Sequence, residues 1–277
     1  MTVALPLDAR DDGGLRSQIQ SFASDDFELS TVLDTKADQL VSVIVPARDE
    51  SETIGAVIEA LNPHRIGGTG LVDEILVVDD NSSDDTAEIA GRAGATVLSL
   101  RAGGGKGGAM AAGVEAAVGD LVVFLDGDVE NTSADYVPRL LGPLLVDSSI
   151  QLVKGFYERP FEGRPRGGGR VTELTARPAL ALLFPELAEL RQPLAGETAV
   201  RREVIRELGL DAGYRVEIAL LIDIALRYGP GSIAEVDLGV RVHRNRPLDE
   251  LGLMAREVLA AVLERSGSAT GQIGTDH

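Results

Sequence analysis

Cysteine is absent from all 277 residues. That excludes disulfides, thiolate zinc sites and a cysteine nucleophile, and it fits a reducing cytoplasm. No apolar run reaches the roughly 18 residues a membrane-spanning helix needs. The opening MTVALPLDARDD also lacks the basic-then-hydrophobic order of a secretion signal. A cytoplasmic protein with no membrane partner is therefore expected. Positive charge is scarce too: 26 lysines and arginines face 44 acidic residues, for a formal charge of −18. Phosphate backbones need basic surface, so nucleic acid is not the expected partner. A small anion can still be held where cations gather locally. Lysine occurs only at Lys36, Lys106 and Lys154, while arginines crowd 159–177 and 241–246.

The remaining composition, 44% hydrophobic and 25% charged, is that of a globular protein. Residues 121–128, Leu-Val-Val-Phe-Leu-Asp-Gly-Asp, hold its strongest signal. Five apolar residues read as a strand buried on both faces of a parallel sheet, and the carboxyl ends of such strands are where ligands bind. Asp126 and Asp128, two apart, point to one side if the chain stays extended. They offer hard oxygens to a divalent cation that also binds phosphate, although Asp and Gly are equally the residues of an ordinary turn.

Similar apolar runs predict strands at 41–46, 74–79, 96–100, 150–157 and 233–242. Helical periodicity predicts helices at 52–61, from the polar turn after Asp79 to about Gly94, at 109–117, at 136–146 with a break near Pro143, at 202 onward, at 216–227 and at 248–265. Residues 171–190 read as helix interrupted by Pro178 and Pro185, 193–198 as a turn, and 16–27 as a short helix in a partly ordered arm. The β-α-β-α-β-α-β order of the first half makes this an α/β protein with a mostly parallel sheet flanked by helices. The expected divisions are an arm at 1–40, a nucleotide-binding half at 41–157, a helix-rich acceptor half at 158–266 and a disordered tail at 267–277.

Three further constellations bear on chemistry. Gly103-Gly-Gly-Lys-Gly-Gly108 satisfies G-x-G-x-x-G between a strand and a helix, which is the dinucleotide pattern of an NAD-dependent dehydrogenase. It falls two βα units too late for that role, and Gly107 after Lys106 rules out a Walker loop. What survives is an anion site of backbone N–H groups and one lysine. His243 ends a strand among Arg241, Arg244, Asn245 and Arg246. A lone histidine is more often structural, but beside a D-G-D turn it offers a metal ligand. Gly167 to Thr172, with Arg170, would mould a phosphate or carboxylate or serve as a linker, and Glu217 in an apolar helix start needs a partner or a task.

These residues resemble the GT-A glycosyltransferases through V-S-V-I-V-P-A-R-D-E, I-L-V-V-D-D-N-S-S-D-D-T and F-L-D-G-D. More narrowly, L-V-K-G-F-Y, G-G-G-R-V-T-E-L, Q-P-L-A-G-E, Y-R-V-E-I and L-G-V-R-V-H-R-N-R-P-L-D-E-L-G resemble the glucosyl-3-phosphoglycerate synthases. The resemblance runs from about Phe22 to Leu263. It implies a Rossmann-like GT-A fold and retaining transfer of glucose from UDP-glucose to the 2-hydroxyl of 3-phosphoglycerate, in a cytoplasmic homodimer using Mg²⁺ or Mn²⁺. Mannosyl transfer from GDP-mannose, or use of both donors, stands beside it. Carried over by motif, Pro46, Ala47 and Glu50 would hold uridine, with Asp80 beside it, and Lys106, Asp126 and Gly127 would meet the nucleotide-sugar. Asp128 and His243 would bind the metal. Gly169, Arg170, Thr172 and Asn245 would bind phosphoglycerate, with Glu217 near the sugar and Arg241 near the diphosphate.

Overall fold

The computed structural model describes residues 19–65, 67–158, 169–242 and 248–272, the side chains of 248–250 and 268–272 aside. Along the chain come β1 (Gln20–Phe22), α1 (Leu29–Lys36), β2 (Val41–Ala47), α2 (Ile54–Leu61), β3 (Glu74–Asp79), α3 (Thr86–Arg92) and β4 (Thr96–Ser99). They are followed by α4 (Gly105–Ala116), β5 (Leu121–Phe124), α5 (Tyr136–Val146), β6 (Leu152–Glu158) and α6 (Arg177–Leu183). The chain closes with β7 (Thr198–Arg201), α7 (Arg202–Leu208), α8 (Val216–Tyr228), β8 (Ile233–Val240) and α9 (Leu248–Gln272). Among the described residues no helix is long and apolar enough to cross a membrane.

The strands form one sheet in the order β1-β8-β6-β7-β5-β2-β3-β4, parallel throughout except for β7, which runs antiparallel to both neighbours. Successive residues in a strand face opposite sides, and the core divides accordingly. Ile44, Val78, Val122 and Phe124 pack with Met110, Leu180, Leu221 and Val258 on one face. Val43, Val45, Val77 and Val123 pack with Val57, Ile58, Leu140 and Leu141 on the other. Both faces are thus covered, which is why these strands read as unbroken apolar runs.

Five local expectations are corrected. Residues 20–22, expected within a helical arm, form an edge strand beside β8, with Ser21 Oγ donating to Glu235 at 3.1 Å. The Phe27 ring then lies so close to α5 that a Cβ on Gly142 would come within 2.3 Å of it. Residues 198–201, expected to follow a turn as the approach to a helix, are β7. The helix expected from Ala109 starts at Gly105, so most of the glycine run is its first turn. A Cβ at Gly107 would lie 1.9 Å from the Asp211 carbonyl, so glycine there serves close backbone packing. Finally, α5 continues through Pro143, and α9 runs on to Gln272 past the expected end at 265. The helix-rich stretch 171–190 begins as a π-helix at Thr172–Ala176 and passes directly into α6.

Candidate active site

The carboxyl ends of β2, β3, β5 and β8 open on one cavity of about 430 Å³. Pro46, Ala47 and Glu50 enter it from the end of β2, and Asp80 from the end of β3. Asp126, Gly127 and Asp128 come from the turn after β5 and Arg241 from the residue after β8. Lys106 is in the first turn of α4, Glu217 in the first turn of α8, and Gly169, Arg170 and Thr172 lead into the π-helix across the cavity. Leu251, Met254, Glu257 and Val258 of α9 form a further wall. His243 and Asn245 lie outside the described residues. The backbone just before them is tied to the β5 turn: Glu130 N donates to the Val242 carbonyl at 3.2 Å, and Val242 N to Asn131 at 2.8 Å.

The centre is a chain of opposite charges. Lys106 Nζ lies 2.6 Å from Asp126 and 2.6 Å from Glu217. Arg241 Nη2 donates to Asp126 at 2.8 Å and to Asp128 at 3.1 Å. Its Nη1 donates to Glu197 and to the Tyr157 hydroxyl, each at 2.8 Å. Both acidic side chains of the D-G-D turn therefore do reach one group, as the two-residue spacing implies. Burial alone would push the Lys106 ammonium down, but the Asp126 and Glu217 carboxylates outweigh it and hold the pKa far above the lysine range. Burial likewise favours a protonated Asp126, yet Lys106 and Arg241 keep it firmly ionised. Arg241, also buried, is held charged chiefly by Glu197, Tyr157 and Asp126.

The turn itself is braced by Thr53, whose hydroxyl donates to the Gly127 carbonyl at 2.7 Å. Asp80 is 3% exposed, and its Oδ1 accepts the Gly104 amide at 2.7 Å. A backbone donor of the glycine run is thus spent on a carboxylate rather than left for a pyrophosphate, which counts against the dehydrogenase reading. His64 is structural: it is buried, with its ring nitrogens on Thr69 and on the Ala134 carbonyl. The sequence reading assigns no part to Glu197, Tyr157, Thr53, Arg48, Tyr214 or Glu257. The rule that singles out Glu217, a carboxylate among apolar residues, applies equally to Glu197 in Pro-Leu-Ala-Gly-Glu-Thr-Ala-Val.

Behind Glu217 lies a second lysine. Lys154 is 2% exposed, donates to the Ala195 carbonyl, and is pushed by burial from the ordinary 10.5 down to about 8. Glu217 opposes that shift and Lys106 adds to it. Between the two values the unfolded chain binds a proton that the folded chain does not, so stability rises with pH across that window. Lys154→Met should lack this rise. Urea denaturation at several pH values from 7.5 to 10.5 is expected to show the parent gaining roughly 2–3 kcal/mol on the variant. A constant difference would mean that Lys154 titrates normally.

Comparison with known proteins meets this geometry. The sequence pattern of the family described as Glycosyl transferase family 2 matches residues 42–209. A glucosyl-3-phosphoglycerate synthase from Mycobacterium tuberculosis is 47% identical over 253 residues, covering 86% of this chain and 77% of the relative. One from Petrotoga mobilis is 43% identical over 244 residues, covering 84% and 75%. The M. tuberculosis enzyme in complex with Mn²⁺, UDP-glucose and phosphoglyceric acid superposes with a TM-score of 0.83 at 45% identity, over 90% of this chain and 88% of that one. Its complex with Mg²⁺ and UDP matches equally, at 0.83 and 45%, over 90% and 87%. The chain belongs to glycosyl transferase family 2 and, within it, to the glucosyl-3-phosphoglycerate synthases.

Proposed function

We propose that this protein transfers glucose from UDP-glucose to the 2-hydroxyl of 3-phosphoglycerate, with retention at the anomeric carbon. One observation carries the reading: the D-G-D turn, Lys106, Glu217, Arg241 and the Gly169–Thr172 segment share a single cavity, in a chain nearly half identical to synthases of that name. Pro46, Ala47, Glu50 and Asp80 would take the uridine, and Asp126 and Gly127 the ribose and sugar side. Gly169, Arg170 and Thr172, with Asn245, would take the acceptor. The cation at Arg170 suits the negative charge of a phosphoglycerate.

A divalent cation fits the donor set. Asp126 is already neutralised by Lys106 and Arg241, whereas Asp128 meets only Arg241, at 3.1 Å, among the described residues. Among those residues no three acidic or histidine side chains form a ready cage. An ion there would be held by one or two protein ligands together with phosphate oxygens. Asp128 and His243 would hold Mg²⁺ or Mn²⁺, which when bound neutralises charge on the leaving diphosphate. Arg241 would meet the same diphosphate, and Lys106 would hold Glu217 at the sugar. Glu217 is bound to Lys106 and is not free to act as a nucleophile. We therefore favour attack on the face the diphosphate leaves over a covalent step through Glu217.

A matrix of donors (UDP-glucose, GDP-mannose) against acceptors (3-phosphoglycerate, glycerol 3-phosphate), with product masses, tests the reading. Metal-dependent formation of a hexosyl-phosphoglycerate from UDP-glucose is expected. Product from GDP-mannose alone would replace it with the mannosyl reading. The compartment proposed is the cytoplasm, in keeping with a chain free of cysteine. A homodimer is also proposed. It is supported by the exposed Leu174 and Leu182, at 78% and 82% accessible, and is checked by sedimentation.

A further inference from the structure

Arg241 is gripped from two sides, and only one of them is the cavity. Nη2 donates to Asp126 and Asp128, which line it. Nη1 donates to Glu197 and Tyr157, which do not. Glu197 is 1% exposed and Tyr157 4%, so neither reaches a substrate. Glu197 is itself fixed, because it immediately precedes β7 and its carbonyl accepts the Gly155 amide at 2.8 Å. A carboxylate buried this deeply is costly even when paired.

We infer that Glu197 is a positioning residue: it restrains Arg241 so that Asp128 stays open to a divalent cation and the guanidinium stays at the diphosphate end of the cavity. The inference rests on the donor and metal reading given above. A guanidinium gains most from a carboxylate through two parallel N–H···O bonds. Arg241 instead gives one nitrogen to both aspartates while the other is engaged by Glu197 and Tyr157. Neutralising Glu197 frees Nη1 to swing toward the aspartates, where the guanidinium becomes an internal substitute for the cation. Cation and guanidinium then compete for Asp128, and the metal binds more weakly. The swing also withdraws Arg241 from the diphosphate, whereas the acceptor segment at Gly169–Thr172 is untouched.

Glu197→Gln keeps the volume and an acceptor oxygen while removing the charge. Mn²⁺ binding to the UDP-loaded protein, followed by electron paramagnetic resonance before any turnover, is expected to weaken about tenfold. Turnover should fall about tenfold or more, with KM for 3-phosphoglycerate held within about twofold. Glu197→Asp should recover part of the Mn²⁺ affinity. An affinity in Glu197→Gln within about twofold of the parent overturns the inference. If that variant does not fold, Tyr157→Phe, which removes the other acceptor on Nη1, should weaken Mn²⁺ binding about two- to fourfold, and no change there overturns it. A parent that binds no Mn²⁺ with UDP overturns both this and the functional reading, whereas a parent that binds it beside an unchanged variant overturns the inference alone.

Discussion

Lys106→Met is expected to cut glucose transfer by roughly a thousandfold or more and to destabilise the fold. Its ammonium sits 2.6 Å from two carboxylates that belong to different elements, Asp126 after β5 and Glu217 in α8. Removing one partner of a buried pair costs about 3–5 kcal/mol, because the other is left charged and dry. The lysine side chain is 22% accessible, which trims that figure without cancelling it. Asp126 would keep Arg241, but Glu217 has no other ion pair among the described residues. Glu217 is then left buried without a cation beside it.

The pH dependence follows from that. In the parent, Asp126 lies far below the usual carboxylate range, so its contribution is fully present above about pH 4 and is lost only as the pH falls further. The melting temperature of the parent therefore gains nothing from Asp126 between pH 7 and 5. Adding Glu217→Gln to the Lys106→Met variant should recover stability and leave activity low, which separates the lysine's structural part from the donor contact proposed for it. A Lys106→Met protein with kcat/KM within about tenfold of the parent would contradict the whole arrangement.

How much of this was legible beforehand varies with element type. β2, β3 and β5 are buried on both faces, so their runs of branched side chains are continuous, and the residues that follow them are the ones that meet at the cavity. β7 has four residues and no such run. Its identity depends on β5 and β6 lying on either side, a tertiary fact that no local pattern carries. The cost of missing it is functional, because Glu197 stands one residue before that strand and anchors Arg241. The glycine run misleads for the opposite reason. Glycine weakens helices, so 103–108 reads as loop, yet α4 begins at Gly105, and glycine stands at 107 because the Asp211 carbonyl occupies the space a Cβ there would need. Lys106 is consequently held on a helix, aimed at two carboxylates, rather than on a loose phosphate cradle. The metal-ligand expectation for His243 rests on its place beside the D-G-D turn as well as on motif resemblance, that for Asn245 on resemblance alone, and both fall outside the described residues.

Asp128→Asn should remove metal-dependent turnover while leaving the fold nearly as stable as before. Arg241 retains Asp126 and Glu197 as charged partners, and an amide oxygen at 128 can still accept from its Nη2, so the buried cation is not stranded. Melting should shift by no more than the roughly 0.5–1.5 kcal/mol of one hydrogen bond. The loss falls on the cation instead. An amide oxygen is a poor replacement for a carboxylate as a ligand to Mg²⁺ or Mn²⁺, and charge neutralisation at a leaving diphosphate is worth several kcal/mol. A fall of roughly a thousandfold in kcat is therefore expected. Raising Mn²⁺ should lift the parent to a plateau and leave the variant flat, with UDP-loaded Asp128→Asn showing little Mn²⁺ uptake by electron paramagnetic resonance. The sign of this effect separates Asp128 from Asp126: Asp126→Asn removes the carboxylate shared by Lys106 and Arg241, so it should lose stability together with activity. A variant at position 128 that reaches within about threefold of parental turnover at saturating Mn²⁺ would move the metal elsewhere in the cavity.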